Sequence, residues 1–174
     1  RMRLTPEHDR PIDAATFARL MAPFDPFEAE PVIAVAVSGG RDSLALALLT
    51  HDWAAARGGR VVALIVDHGL RSGSGEEAAA TRVLLESLGI AAVVLRWSGT
   101  KPRSGLQAAA RTERYRLLSD ECRRGGLLHL LLAHHADDQA ETVTMRAARG
   151  SGPDGLAGMA ALVERADVRL LRPL

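Results

Sequence analysis

Residues 32–43 read Val-Ile-Ala-Val-Ala-Val-Ser-Gly-Gly-Arg-Asp-Ser. Six apolar residues, β-branched or small, follow one another without polar alternation, as in a strand buried on both faces. The two glycines let the chain turn tightly out of that strand and let its backbone approach a ligand closely. An alanine- and leucine-rich stretch then runs to about residue 56, where Gly58-Gly59 stops a helix. Strand, glycine turn and helix together open a βαβ unit.

The unit recurs downstream of this stretch, and a different kind of segment precedes it. Upstream, residues 1–30 read as an N-terminal lead-in broken by prolines, with Asp13 placed to cap a short helix over 14–21. Downstream, a second strand over 61–66 ends in Asp67-His68-Gly69. A helix over 76–88 stops at Gly89, and a third strand covers 90–95. A loop over 97–104 leads into a long helix over 106–123, stopped by Gly125-Gly126. A fourth strand covers 127–133, a helix 136–149 and a glycine-rich loop 150–155. A weaker strand covers 168–171.

Short strands alternating with helices of 12–18 residues predict an α/β fold. The expected form is Rossmann-like: a doubly wound parallel sheet of about five strands with helices on both faces. Residues 31–174 form that single domain. Crossovers are right-handed, and ligands sit beyond the carboxyl ends of the strands. The clusters at 38–43, 67–71, 97–104 and 134–141 all fall on that one rim.

The 174-residue length fits one domain. Charged residues make up 25% and hydrophobic residues 47%, which excludes a disordered chain. No apolar run approaches the roughly 18 residues of a membrane helix, and the start lacks the apolar core of a signal peptide. No membrane partner is expected. The lone Cys122 excludes an internal disulfide framework and any C-x-x-C zinc or redox site, and a cytoplasmic location fits. Net charge is +1, so composition does not announce a nucleic-acid binder. Lys101 is the only lysine. The arginine-rich remainder fits either a GC-rich genome or a preference for guanidinium forks at phosphate oxygens.

The loop at 38–43 has the makings of a phosphate cradle. Its glycines free the backbone, the following helix offers unpaired N–H groups and a positive dipole end, and Ser38 and Ser43 add hydroxyls. It lacks the G-x-x-x-x-G-K-[ST] and G-x-G-x-x-G spacings. The same residues also fit a plain strand–helix turn with Asp42 or Ser43 as cap. A carboxylate beside phosphates calls for a cation between them, which makes Asp42 a candidate Mg²⁺ ligand. Farther on, Asp138 and Glu141 are spaced i, i+3 and share a helix face. Acids at a helix start also suit its dipole, but that does not account for His134, His135 and Glu141 together. Trp53 reads as a core residue, Trp97 is unsettled between packing and base stacking, and Cys122 reads as buried.

The pattern S-G-G-x-D-S resembles the PP-loop, or N-type ATP pyrophosphatase, family. Four later strings follow in order: V-D-H-G-L-R at 66–71, A-A-R-x-x-R-Y at 109–115, A-H-H-A-D-D-Q-A-E-T at 133–142 and R-G-S-G-P-D-G-L-A-G-M at 149–159. Together they resemble the tRNA(Ile)-lysidine synthetases over residues 32–174. That resemblance implies an ATP-dependent carbon–nitrogen ligase. The wobble cytidine of a CAU anticodon would be adenylated with release of pyrophosphate, and free L-lysine would then displace AMP. It implies ATP and Mg²⁺ as cofactors and tRNA(Ile) as partner. The oligomeric state is open, a homodimer included.

The implied nucleotide-binding residues are Ser38, Gly39, Gly40, Arg41, Asp42, Ser43, Asp67 and His68, with Asp42 at the metal. The implied catalytic residues are Asp42, Arg111, His134, Asp138 and Glu141. Two alternatives remain. One is another adenylating enzyme of the fold, such as a tRNA thiolase or an amide-forming synthetase; thiolases normally add paired cysteines, which this chain lacks. The other is a nucleotide-binding module without catalysis. Members of the family usually continue into helical and tRNA-binding domains, so the chain is expected to hold the catalytic domain without them.

Overall fold

The computed structural model describes residues 11–133, 161–164 and 167–174. Helix α1 (Ala14–Met21) starts where expected, and the Asp13 carboxylate accepts the Thr16 N–H at 2.7 Å. A short 3-10 turn over Ala22–Phe24 follows. The lead-in is part of the core, because Phe17, Met21 and Phe24 bury their side chains in it. The chain then alternates through β1 (Val32–Val37), α2 (Arg41–Ala55), β2 (Arg60–Asp67), α3 (Ser74–Ser87), β3 (Ala91–Arg96), α4 (Leu106–Gly125) and β4 (His129–Leu132). It ends in β5 (Leu162–Glu164) and β6 (Arg169–Leu171).

The strands form one sheet in the order β3-β2-β1-β4-β6-β5. β1 pairs in parallel with β2 on one side and β4 on the other. The order therefore reverses at β1: the chain steps outward to β3, then returns through α4 to β4. That reversal is the switch point of a doubly wound fold. The sheet departs from the expected five parallel strands. β5 is a sixth strand, and it runs antiparallel to β6, with Leu162 opposite Leu171. Three residues ending in a glutamate carry too little periodicity to be read as a strand.

Alternation along β1 builds a core on each face. Ile33, Val35 and Val37 pack with α1, α2 and α3 through Phe17, Leu46, Trp53 and Leu85. Ala34 and Ala36 face the other way, toward Leu118 and Cys122 of α4. Small residues under α4 let that helix lie close to the sheet. Trp53 is a core residue, edge-on to Phe27 at 4.9 Å. Among the described residues no helix is long and apolar enough to cross a membrane. The helix expected over 136–149 and the loop over 150–155 lie outside the described residues.

Candidate functional site

Helix α2 begins one residue after the glycine pair, with Gly40 as N-cap and no side chain capping it. Its first-turn N–H groups therefore lack a protein partner of the usual kind. Gly39 holds φ at +84°, a backbone region that other residues enter only at a cost, and a Cβ there would sit 3.2 Å from Thr81 Oγ1 of α3. Ser38, Gly39, Gly40, Arg41 and Asp42 are all exposed at the carboxyl edge.

Ser43 is different. Only 2% exposed, its hydroxyl donates to the Gly40 carbonyl at 2.9 Å and accepts the Ser38 N–H at 3.1 Å. It also lies 3.1 Å from Ser38 Oγ, which in turn accepts the Gly40 N–H at 3.4 Å. Ser43 thus locks the loop from behind, and the exposed backbone in front is the surface offered to an anion.

Asp67 ends β2 and is similarly occupied. Its Oδ1 accepts the Gly69 N–H at 2.9 Å and the Ser74 hydroxyl at 2.7 Å, while Arg96 Nε lies 3.9 Å from Oδ2. The Ser74 hydrogen bond, aided by Gly69 and Arg96, holds this carboxyl below its usual range. Asp67 shapes the turn that carries His68. Burial, then the nearby Arg114 charge, pushes the His68 pKa down, so its ring is neutral at pH 7. Its Nδ1 is buried and has no hydrogen-bond partner among the described residues.

Ser38, Gly39, Gly40, Asp67 and His68 line one cavity of about 1010 Å³ at the carboxyl ends of β1 and β2, whereas Arg41, Asp42 and Ser43 fall outside its lining. Its walls include Ser38–Gly40, Asp67–Arg71, Glu77 and Thr81 of α3, and Gln107 and Arg114 of α4. The volume is ample for a nucleotide. Arg114, the second arginine of the A-A-R-x-x-R-Y string, is a functional candidate to which the sequence analysis assigns no role. It lies on the i+4 row Leu106, Ala110, Arg114, Leu118, Cys122, whose lower members are buried against the sheet. Arg111 lies on the next row, with Tyr115 and Ser119. That row lines a second cavity of about 620 Å³ together with Val163, Leu170 and Arg172. The structure therefore brings Ser38, Gly39, Gly40, Asp67 and His68 together and sets Arg111 on the β6 side of α4. His134, Asp138 and Glu141 lie outside the described residues.

Among the described residues no three His, Cys, Asp or Glu side chains converge into a metal site. Asp42 fits Mg²⁺ only in the manner typical of that ion at phosphates, as one carboxylate completed by phosphate oxygens and water. Its exposed position in the first turn of α2, beside the uncapped N–H groups, provides for that.

Comparison with known proteins agrees with this geometry. The PP-loop domain family matches residues 11–174. The chain belongs to the PP-loop family. Among individual PP-loop proteins, a tRNA(Ile)-lysidine synthase of Bradyrhizobium sp. (strain BTAi1) is 48% identical over 170 residues, 97% of this chain and 47% of that protein. Another, from Rhodopseudomonas palustris (strain CGA009), is 50% identical over 163 residues, 92% of this chain and 46% of that protein. The chain spans about half the length of the curated relatives it matches. The solved structure of U34-tRNA thiolase NcsA from Methanococcus maripaludis matches with a TM-score of 0.73 at 20% identity, over 92% of this chain and 58% of that one. This match shows the PP-loop fold.

Proposed function

We propose that the chain is the ATP-binding, adenylating part of a tRNA(Ile)-lysidine synthase in the cytoplasm. The observation that carries the reading is the placement of the Ser38–Ser43 loop at the switch point. β1 and β4 are neighbours, so the loop leaves the sheet beside Ala133, after which the string His134–Thr142 begins. The sequence similarity to proteins named tRNA(Ile)-lysidine synthase supports the substrate assignment.

In this reading the loop backbone from Ser38 to Gly40 and the first turn of α2 hold the ATP phosphates. Ser43 and Gly39 fix the loop in that shape. Bound Mg²⁺, held by Asp42 and phosphate oxygens, supplies positive charge where pyrophosphate charge accumulates. The neutral His68 ring and the turn built on Asp67 form the wall against adenosine. O2 of the wobble cytidine attacks the α-phosphorus, and the bond to pyrophosphate breaks. The lysine ε-amine then attacks C2, AMP leaves with the oxygen, and the nitrogen sheds its proton. Asp138 and Glu141 are the carboxylates assigned to the lysine ammonium and that proton. Arg111 and His134 are assigned to charge on the transferring phosphoryl group.

Cys122 argues against the thiolase alternative. It is the chain's one cysteine, it is buried on the sheet-facing side of α4, and burial pushes its thiol pKa up to about 12. Such a thiol is a poor sulfur nucleophile at neutral pH.

The test is transfer of AMP from α-labelled ATP to a CAU-anticodon tRNA(Ile) transcript, compared with a transcript whose wobble cytidine is uridine. The expected result is label on the cytidine transcript alone, released as AMP when L-lysine is added. Binding of ATP with no label on either transcript overturns catalysis by this chain and leaves a nucleotide-binding module.

A further inference from the structure

We propose that Trp97 and Lys101 form a stacking shelf for an unpaired nucleotide of the RNA substrate, on the β3 side of the nucleotide cavity. The inference rests on the tRNA reading above and adds a docking point to it.

The shelf is built where β2 and β3 end together. The Trp97 N–H donates to the Asp67 carbonyl at 3.0 Å, which ties the start of the 97–105 loop to the turn carrying His68. The His68 ring stands edge-on to the indole, 6.2 Å between centroids and 85° between planes. Lys101 returns over the indole with Nζ 5.3 Å from the ring centroid. A Cβ at Gly69, on the cavity wall, would sit 3.5 Å from the same Nζ. Trp97 is half-buried, so the ring is braced without being enclosed, and residues 98–100 and 102–105 are exposed.

Charge selects the partner. Lys101 and Arg103 have no carboxylate partner among the described residues, whereas the acids nearby are engaged. Glu77 pairs with Arg71, Glu113 with Arg116, and Asp67 with Ser74, Gly69 and Arg96. A braced aromatic face beside a lysine that no carboxylate neutralises, next to the wall of a nucleotide cavity, suits a single-stranded nucleic acid: the ring takes a base and Lys101 takes its phosphate. Aromatic residues make up only 3% of the chain, and Trp53 is buried in the core, which leaves Trp97 as the indole available for this role.

The experiment measures two affinities on the whole chain, for a fluorescent anticodon stem-loop RNA by anisotropy and for labelled ATP by equilibrium dialysis. Trp97→Ala is expected to weaken the RNA by about tenfold or more and leave ATP unchanged. Trp97→Phe keeps a π-face and retains most of the affinity. Lys101→Gln, in the loop and harmless to folding, is expected to weaken RNA and lower the salt slope by about one ion. RNA affinity unchanged in Trp97→Ala and Lys101→Gln overturns the shelf. So does an equal loss of ATP affinity, which would assign Trp97 to the nucleotide wall, or wild-type binding weaker than about 10⁻⁴ M. The two readings fail separately. AMP transfer with Trp97-independent RNA binding removes the shelf alone. Trp97-dependent binding that ignores the wobble base, with no AMP transfer, removes lysidine chemistry alone.

Discussion

The two ends of the sheet both bury polar side chains, and they use them differently. At the carboxyl edge, Ser43 and Asp67 turn inward and satisfy the backbone of their own loops. What remains in front is exposed, the N–H groups and Asp42, while behind them a buried His68 nitrogen has no hydrogen-bond partner among the described residues. At the amino edge the polar groups mostly meet one another, and the atoms left without a hydrogen bond among the described residues, His129 Nδ1 and Arg169 Nε, are buried and face no open loop. His129 of β4 meets both Glu28 oxygens at 3.0 and 3.1 Å, and Arg169 of β6 donates to the carbonyls of Phe24 and Pro26. Those contacts clasp the segment between α1 and β1 onto the sheet. Buried polarity is therefore no sign of a site in itself. A site appears where buried groups hold a loop so that unsatisfied groups face outward.

The largest expected effect tests the exposed side of that contrast. Asp42→Asn keeps the size of the side chain and removes the charge. AMP transfer should fall by about 10²–10³-fold, the range for loss of one transition-state electrostatic contact. The melting temperature should hardly move, because the residue is exposed and caps nothing. Equal rates with Asp42→Asn would break the assignment of the metal to this carboxylate.

Gly39→Ala probes the loop's shape. A φ of +84° costs a non-glycine residue about 1–2 kcal/mol, and the new methyl would press on Thr81 Oγ1. Urea melts should show that loss together with weaker ATP binding. Adding Thr81→Ala relieves the contact and not the dihedral, so most of the loss should persist. Full rescue by the double variant would mean that the contact, and not the backbone, restricts this position.

Much of this was legible in the sequence, for reasons that differ between residues. The run Val32–Val37 and the glycines after each helix placed the elements to within a few residues, because burial on both faces and φ > 0 are demands that few residue types meet. The Asp13 cap was legible because few side chains can accept the free N–H of a helix's first turn. Side-chain direction at the site was not. Ser43 reads as a hydroxyl offered to a ligand, yet it faces the loop's interior. Arg111 and Arg114 look equivalent because α4 carries charge around most of its circumference. Only the sheet beneath it determines that Arg114 falls on the row over the nucleotide cavity and Arg111 on the row toward β6.

The amino edge predicts a pH effect without a catalytic one. Burial holds His129 below its ordinary pKa of 6.5, and Glu28 only partly opposes this. Folding therefore favours the neutral ring. The stability it contributes is complete above pH 6.5 and is lost as pH falls from there through the lower folded value. Urea midpoints at pH 7.5 and 5.5 should show that decline. Glu28→Gln should steepen it, since the carboxylate is what raises the His129 pKa. His68 titrates in the same direction at the other edge, and the Glu28 substitution leaves it alone, so the difference between the two proteins reports His129. ATP affinity at pH 7.5 should be the same in both, and a loss there would break the division between the edges.

The smallest effect is expected from the most conspicuous charge pattern. Along α4, Arg116 contacts Glu113 at 2.6 Å and Asp120 at 2.7 Å, and Arg123 joins Asp120 and Asp167. Glu113 is mostly shielded, but Arg116, Asp120, Arg123 and Asp167 are about half exposed, where solvent and salt screen the attraction and ordering two long side chains offsets it. Arg116→Ala should leave the urea midpoint within the scatter of replicate melts, with any shift vanishing in high salt. ATP affinity should not change, because Arg116 lies off the row that reaches the nucleotide cavity. A weaker anticodon stem-loop affinity in this variant, with ATP binding intact, would extend the RNA contact around α4 and onto the cavity that holds Arg111.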